Sequence, residues 1–496
     1  MGTIASFAAG RPDLKELLTK LENFDICGEY MLTEVAHGLD ARNLEITARQ
    51  QANGDFVLNT PSRGAIKAMP PTGIVAGLPR IAVVFARLIV EHKDRGIRPF
   101  LVPLNDGETM CPGVISKMLP ARSGTAYSLD HSLTEFRNVH LPRSALLDSP
   151  LVCVDLRQHF LKQTWRIAVG GLALTMTFIP CLRQACYITS RYHSGRYRDE
   201  NTGQTTLSLG NVYRPILVGL AQAAVFEQYA RWSVKAFLDP TTTDDEKRGI
   251  VTTFKAVLVR DTQATLKVLR PCCGWTSEYD FNGIPDLESL VRANAIAEGT
   301  VSVLSIRLTS ELLLGRYSLP PPQWPDSPLA MYEKHVFSTF QKQMDLIYSQ
   351  KKRTDPRLAF GAILSPYCNE LAEAIGQRMA YDAAMASGVV PMELINVFES
   401  NCLRVCKTLS GTQLNKDAEA IAQMLPMLQG LLEEADCSEY VPESITSDSG
   451  WNAAIKPLPT FGNDEDKQAS TNVSGILVAA ASNTVSDVLT GCQAML

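Results

Sequence analysis

Near residue 158 the sequence changes periodicity, and that change constrains the fold more than any motif does. Between residues 30 and 147 the apolar residues come in short runs: EITARQ, DFVLNT, AIKAM, RIAVVFARLIV, RPFLVPL and NVHLPRSALL. Gly, Pro, Asn and Asp separate these runs at brief intervals, which predicts the strands of a β-barrel or sandwich. Asn53-Gly54 lies between two of the runs and marks a hairpin, because both residues tolerate positive φ. From 158 onward the apolar residues recur at helical spacing. The pattern covers 160–192 as one broken helix or two, then 211–238, 244–269 and 300–314. Four long helices with short connections predict a bundle.

The flanking regions complete an α+β multidomain reading. Residues 12–23 form one helix, with Leu14, Leu17, Leu18 and Leu21 on a single face. The Pro-rich segment 319–328 marks a boundary, and helical candidates follow at 331–349, 357–387 and 392–408. A polar stretch rich in Ser, Asp and Asn, about 440–471, reads as a surface loop. The chain therefore divides into a short N-terminal helical remnant (1–29), a β-domain (30–150), a helical bundle (151–318) and a C-terminal helical domain (319–496).

A net charge of −5 gives no reason to expect nucleic acid or an anionic membrane as partner. The twelve cysteines show no CxxC or Cys/His metal spacing; Cys402 and Cys406 share a helix face, and Cys272 and Cys273 are adjacent. They read as small buried hydrophobes of a reduced, intracellular enzyme with no metal site. The apolar run 167–182 contains two glycines and a proline and is short for a membrane span, so it reads as a core helix. No secretory signal opens the sequence, and Ala494-Met495-Leu496 departs from the Ser-Lys-Leu type of peroxisomal address. The expectation is a cytoplasmic or peroxisomal location.

Chemistry concentrates in 270–303. Two cysteines and a glycine open that stretch, Asn282-Gly283-Ile284-Pro285 makes a turn, and Glu298-Gly299-Thr300 closes it. Glu298 has Ala295, Ile296 and Ala297 before it and Val301 and Val303 after it. Partial desolvation there would bring a carboxylate toward the working range of a general base, and Gly299 beside it permits close approach. The same residues fit a first-turn Glu on the following helix equally well.

Six motifs in order resemble the acyl-CoA oxidases. Met31-Leu32-Thr33-Glu34-Val35-Ala36-His37-Gly38 with 41–48 is similar to TELGHG…RGLETTA. FVLNTP (56–61) with Lys67, GIRPFLVP (96–103) and VHLPR (139–143) continue the match. SRYHSGR (190–196) looks like SRYSxxRRQ, and Cys272-Cys273-Gly274, Gly283-Ile284-Pro285 and Glu298-Gly299 look like CGGxGY…GLP…EG.

This resemblance implies a flavoprotein of the acyl-CoA oxidase and dehydrogenase superfamily, with a middle β-domain, an acyl-CoA dehydrogenase-like four-helix bundle and FAD between them. It implies a homodimer acting on an acyl thioester. Glu298 falls on the base that takes the α-proton while a β-hydride goes to the flavin. The family polarises the thioester carbonyl with the base's own N–H and a flavin hydroxyl. Thr33 matches a flavin contact and Arg196 a pyrophosphate contact, plausible across the subunit interface. Cys273 and Gly274 match a loop approaching the partner's FAD, and Gly38, Gly73, Gly299 and Thr300 complete the implied cofactor set.

Four departures accompany the match. The family's N-terminal helical domain corresponds here to one helix. Lys-Trp-Trp-Pro-Gly reads Lys67-Ala68-Met69-Pro70-Pro71, with Gly73 as the shifted glycine. Tyr197 replaces the second arginine of the bundle motif, and Thr300-Val301-Ser302 follows the base as in the dehydrogenase branch. Two functions follow. One is FAD-dependent α,β-desaturation of an acyl thioester or related metabolite. The other is a flavin-free descendant, either a proton-transfer catalyst (isomerase, cyclase or dehydratase) or a non-catalytic partner subunit.

Overall fold

The computed structural model describes residues 1–75, 77–120, 131–149, 155–194, 205–349, 355–405, 411–435 and 437–458. Two short helices, α1 (Gly2–Ala5) and α2 (Pro12–Glu22), precede nine strands. These are β1 (Cys27–Met31), β2 (Thr47–Gln50), β3 (Phe56–Asn59), β4 (Lys67–Met69), β5 (Arg80–Val90), β6 (Lys93–Asn105), β7 (Val114–Met118), β8 (Ser132–Phe136) and β9 (Val139–Leu141). They form a six-stranded sheet, in the order β1-β5-β2-β3-β9 with β6 on the free edge of β5, and a three-stranded sheet β4-β8-β7.

The run RIAVVFARLIV becomes β5, the strand on which the larger sheet is built. β1 pairs in parallel with its first half (Met31 opposite Val84), and β2 with its second half (Thr47 opposite Arg87). Its apolar residues serve two cores, which is why they run without alternation. Ala82, Val84, Ala86 and Leu88 face the core between the sheets with Phe56, Phe100 and Phe136. Ile81, Val83 and Phe85 face the other way, onto Leu14 and Leu21 of α2, with Phe160 and Ile167 packed at the edge. That second core joins the β-domain to the first helices of the bundle.

β1, β7 and β8 escape the apolar pattern. Of its three inward positions, β8 gives one to Phe136 and two to Ser132 and Thr134. Their partner is Thr72, whose hydroxyl lies 2.7 Å from Thr134 Oγ1 and 2.8 Å from Ser116 Oγ. In the hairpin joining β2 to β3, Gly54 takes φ +90, so glycine supplies the positive φ.

The helical region opens with three helices where one or two were expected: α3 (Leu156–Gln163), α4 (Arg166–Met176) and α5 (Phe178–Ser194). Then come α6 (Gly210–Leu238), α7 (Asp244–Cys272), α8 (Ile284–Ile296) and α9 (Val301–Leu313). α8 is an addition to the sequence reading. Gly283 ends the preceding turn at φ +83, and Pro285 falls in the first helical turn, where its missing N–H costs nothing. Beyond the Pro-rich segment lie α10 (Pro328–Ser349), α11 (Pro356–Ile363), α12 (Cys368–Ser387), α13 (Met392–Val405), α14 (Gly411–Met424) and α15 (Leu428–Glu434). Where a polar loop was expected, α16 (Glu443–Thr446) and α17 (Asp448–Ile455) form, the latter capped by Ser447 accepting from Gly450 N–H.

One apolar core runs from Leu172 in α4 to Ile445 in α16, with Phe226, Phe254, Leu371 and Phe398 at its centre. Arg166–Ser194 is long and apolar enough to cross a membrane, but Phe178, Leu182, Ala185 and Ile188 within it are fully buried in that core. The fold is thus α+β, a two-sheet β-domain joined to a helical bundle that further helices extend.

Candidate active site

Glu298 occupies the turn between α8 and α9, and its backbone is the first thing to explain. It adopts φ +55, and Gly299 follows at φ +89. A left-handed non-glycine residue is costly and persists only where its surroundings over-determine it. Here α7 and α4 do so. Lys255, in the middle of α7, donates through Nζ to the carbonyls of Ala297 (2.5 Å) and Gly299 (2.6 Å), on either side of Glu298. Arg166, at the start of α4, places Nη1 2.6 and 2.8 Å from the two Glu298 carboxylate oxygens. Gly170, one turn further along α4, leaves room for that carboxylate: a Cβ there would lie 2.6 Å from Glu298 Cδ.

This corrects the picture of a carboxylate in apolar company. The side chain is sheltered, at 10% exposure, but its neighbour is a guanidinium. Arg166 in turn stacks over the ring of Tyr30 in β1 at 4.5 Å. Burial pushes the Tyr30 phenol up; Arg166 opposes that and Glu298 adds to it. Lys255 is 1% exposed, and burial pulls its ammonium down to about 8, with Glu298 opposing.

Beside this turn lies a cavity of about 900 Å³. Thr33 and Gly38 line it from the loop after β1, Gly299 and Thr300 from the start of α9, and Phe160 and Ile167 from α3 and α4. Met344, Tyr348 and Phe360 close the far side. The wall is apolar at these points and cationic at others. Arg157 pairs with Glu311, which also accepts from Tyr317 at 3.0 Å. Arg42, Arg316 and Arg357 line the cavity with no ion-pair partner among the described residues.

The Thr33 segment is held from behind by a buried ion pair. Lys67 Nζ donates to Leu32 O (2.8 Å) and lies 3.3 Å from Glu34 Oε1. The Glu34 carboxylate also accepts from the N–H groups of Glu45 (2.8 Å) and Ile46 (3.2 Å), while Thr33 O accepts from Ala68 N–H. Both side chains are fully buried, and burial pulls Lys67 down to about 8 against the pull of Glu34. His37, from the same motif, lies 3.4 Å from Glu45 near the surface.

Four of the nine expected site residues line this cavity: Thr33, Gly38, Gly299 and Thr300. Glu298 is next to that wall in the chain but is not itself a lining residue; its carboxylate turns to Arg166 and Gly170 on α4. Gly73 is not among the cavity-lining residues; a Cβ there would meet Met118 at 3.2 Å. Cys273 and Gly274 lie past the far end of α7, about 27 Å along the helix from Lys255 at 1.5 Å per residue. Within one chain they are remote from the cavity. Arg196 lies outside the described residues. Sequence reasoning missed Arg166, Gly170 and Lys255. Only Lys255 left a signal, a lone cation inside Thr253-Phe254-Lys255-Ala256-Val257, where every neighbour is buried. Among the described residues no cluster of three His, Cys, Asp or Glu side chains is placed to hold a metal.

The chain superimposes on Arabidopsis thaliana acyl-CoA oxidase 1 with a TM-score of 0.76 at 19% identity, covering 93% of this chain and 82% of that one. The fold is that of an acyl-CoA oxidase. A Caenorhabditis elegans acyl-CoA oxidase-1 complexed with FAD and ATP shares the same acyl-CoA oxidase fold, with a TM-score of 0.75 at 16% identity over 94% of this chain and 80% of that one. In sequence the chain is similar to the peroxisomal acyl-CoA oxidase 2 of Arabidopsis thaliana, 25% identical over 322 residues. That alignment covers 59% of this chain and 46% of the relative, so the chain spans about half the length of such acyl-CoA oxidases. No family model matches.

Proposed function

We propose that the chain is an FAD-dependent acyl-CoA oxidase-like oxidoreductase that desaturates an acyl thioester between its α and β carbons. One observation carries this reading. The cavity is lined both by the loop holding Thr33 and Gly38 and by the Gly299-Thr300 step beside Glu298, two segments far apart in the sequence. At about 900 Å³ its size is that of a cofactor or substrate site.

The residues fit a flavin in part. Thr33, Gly38, Gly299 and Thr300 would hold it, and Gly38 presents open backbone, since a Cβ there would meet nothing within 4 Å. Bound FAD would supply the acceptor for the hydride. Glu298 would take the α-proton on its carboxylate, and to do so it must leave Arg166. The apolar wall at Phe160, Ile167 and Phe360 would bind the acyl chain and exclude water, while Arg42, Arg316 and Arg357, which have no ion-pair partner among the described residues, would favour an anionic headgroup. Cys273 and Gly274, remote from this cavity within the chain, fit a role at a partner's cofactor, and hence a homodimer. The peroxisomal relatives support a peroxisomal location.

The second reading is the flavin-free descendant, and the Arg166–Glu298 ion pair favours it, because a carboxylate clasped by a guanidinium is occupied at rest. The absorption spectrum of the purified protein separates the two. The oxidoreductase reading requires bound flavin and loss of that colour under anaerobic acyl-CoA. A colourless protein that takes up no added FAD would leave the flavin-free reading in its place.

A further inference from the structure

We propose that Lys255 is a positioning residue: its ammonium, bonded to the main-chain carbonyls on both sides of Glu298, holds the left-handed turn that aims the carboxylate. The inference deepens the proposed function and rests on that reading for its kinetic arm only. Lys255 projects from α7, while the turn it holds lies 42 and 44 residues away at Ala297 and Gly299. Burying an ammonium is expensive unless its donors are satisfied. Here the partners are two carbonyls of a single turn, at 2.5 and 2.6 Å, rather than a carboxylate.

The turn needs such a clamp. Consecutive residues at φ +55 and φ +89 stop α8 and restart the chain as α9 in a new direction, and only the second is glycine. With both flanking carbonyls pinned to α7, the Glu298 Cα has little freedom, and its side chain is directed at Gly170 and Arg166 on α4. Helix α7 is in turn fixed in the core by Phe254, Val257 and Leu258, all fully buried. The carboxylate is thus referenced to a fully buried stretch of α7 rather than to a loop.

Hydrogen exchange on the ligand-free full chain tests the clamp without any turnover. Ala297 N–H donates to Ala293 O at 3.2 Å and Leu304 N–H to Thr300 O at 3.1 Å, so both amides report the turn. In Lys255→Met these two should exchange at least tenfold faster, with amides of α6 and β5 unchanged. Turnover should fall about a hundredfold at a KM within about twofold of the parent, the signature of a displaced catalytic group. Lys255→Arg, which keeps a cation and several N–H donors, should restore protection and recover part of kcat. Should the Met variant not fold, Lys255→Gln is read in the same way, its shorter, neutral amide with two N–H donors giving intermediate protection. Unchanged exchange at Ala297 and Leu304, or faster exchange throughout the bundle with none specific to the turn, would overturn the proposal. If the parent chain turns over no acyl thioester, the functional reading fails while exchange still judges the clamp.

Discussion

Arg166 and Glu298 stand 132 residues apart and meet through one guanidinium nitrogen that lies 2.6 and 2.8 Å from the two carboxylate oxygens. The arginine is 40% exposed and the acid 10%, so the pair sits at the edge of the buried region. A pair in that position contributes about 1 kcal/mol, and under the proposed function Glu298 would have to leave it before accepting a proton. In Arg166→Met the melting temperature should fall by about 1 °C while kcat/KM rises about fivefold. A fall in kcat/KM to below a tenth would mean that Arg166 orients the acid rather than restraining it.

Gly170 offers a subtler perturbation of the same acid. An alanine methyl would sit 2.6 Å from Glu298 Cδ and 2.8 Å from Cγ, and what must give way is the end of a side chain rather than backbone. The helix itself gains about 1 kcal/mol from Gly to Ala. Gly170→Ala should therefore melt no lower than the parent and lose at least tenfold in turnover. Thermal unfolding and initial rates on one preparation check both halves, and full activity would remove Gly170 from the site.

Behind Thr33, Lys67 and Glu34 are both fully buried, and Glu34 is committed to two further main-chain N–H groups. Removing only the lysine strands a carboxylate in the β-domain core, a loss of about 3–5 kcal/mol. Lys67→Met should lower the denaturation midpoint accordingly, and Lys67→Met with Glu34→Gln should recover part of the loss. Equal midpoints for the single variant and the parent would contradict this account of how the Thr33 loop is held.

A third buried cluster gives a pH dependence with a definite sign. Asp261 in α7 and Glu373 in α12 share Arg260, and burial pushes them up to about 6 and about 7, respectively, with Arg260 opposing in both. Both folded values lie above the unfolded ones, so the folded state holds more protons in the interval between them. The contribution is then fully present below the unfolded values near 4 and is lost as pH rises through 6 to 7. Asp261→Asn should leave the melting temperature at pH 4 nearly unchanged and raise it by several degrees at pH 8, relative to the parent. Thermal scans across that range decide it; a variant that gains equally at both ends would dissociate the effect from ionisation.

The sequence carried the outline of this fold because its strongest signals are one-dimensional. The unbroken apolar run of β5 and the 3.6-residue periodicity of α6 and α7 report burial directly, and both elements lie where they were read. β8 was invisible because two of its three buried residues are Ser132 and Thr134, met by the N–H and the hydroxyl, respectively, of Thr72 in a distant loop. α8 was hidden by the Gly283-Ile284-Pro285 turn, which in fact starts it. At the site, Thr33 and Glu298 could be found because each sits in a motif. Arg166 and Gly170 could not, and Lys255 shows only as a lone cation in a buried stretch, since what qualifies all three is the carboxylate or the carbonyls they meet, and those contacts exist only once α4, α7 and the α8–α9 turn are packed together.

Glu298 is proposed as the acid–base group of a flavin site, and anaerobic titration of the purified full chain with an acyl-CoA is the sharpest check of that role. Flavin absorbance should be present in both the parent and Glu298→Gln, should bleach on addition of acyl-CoA to the parent, and should persist in the variant. Bleaching of Glu298→Gln at the parent's rate, or a parent protein that neither contains nor takes up flavin, would contradict the account.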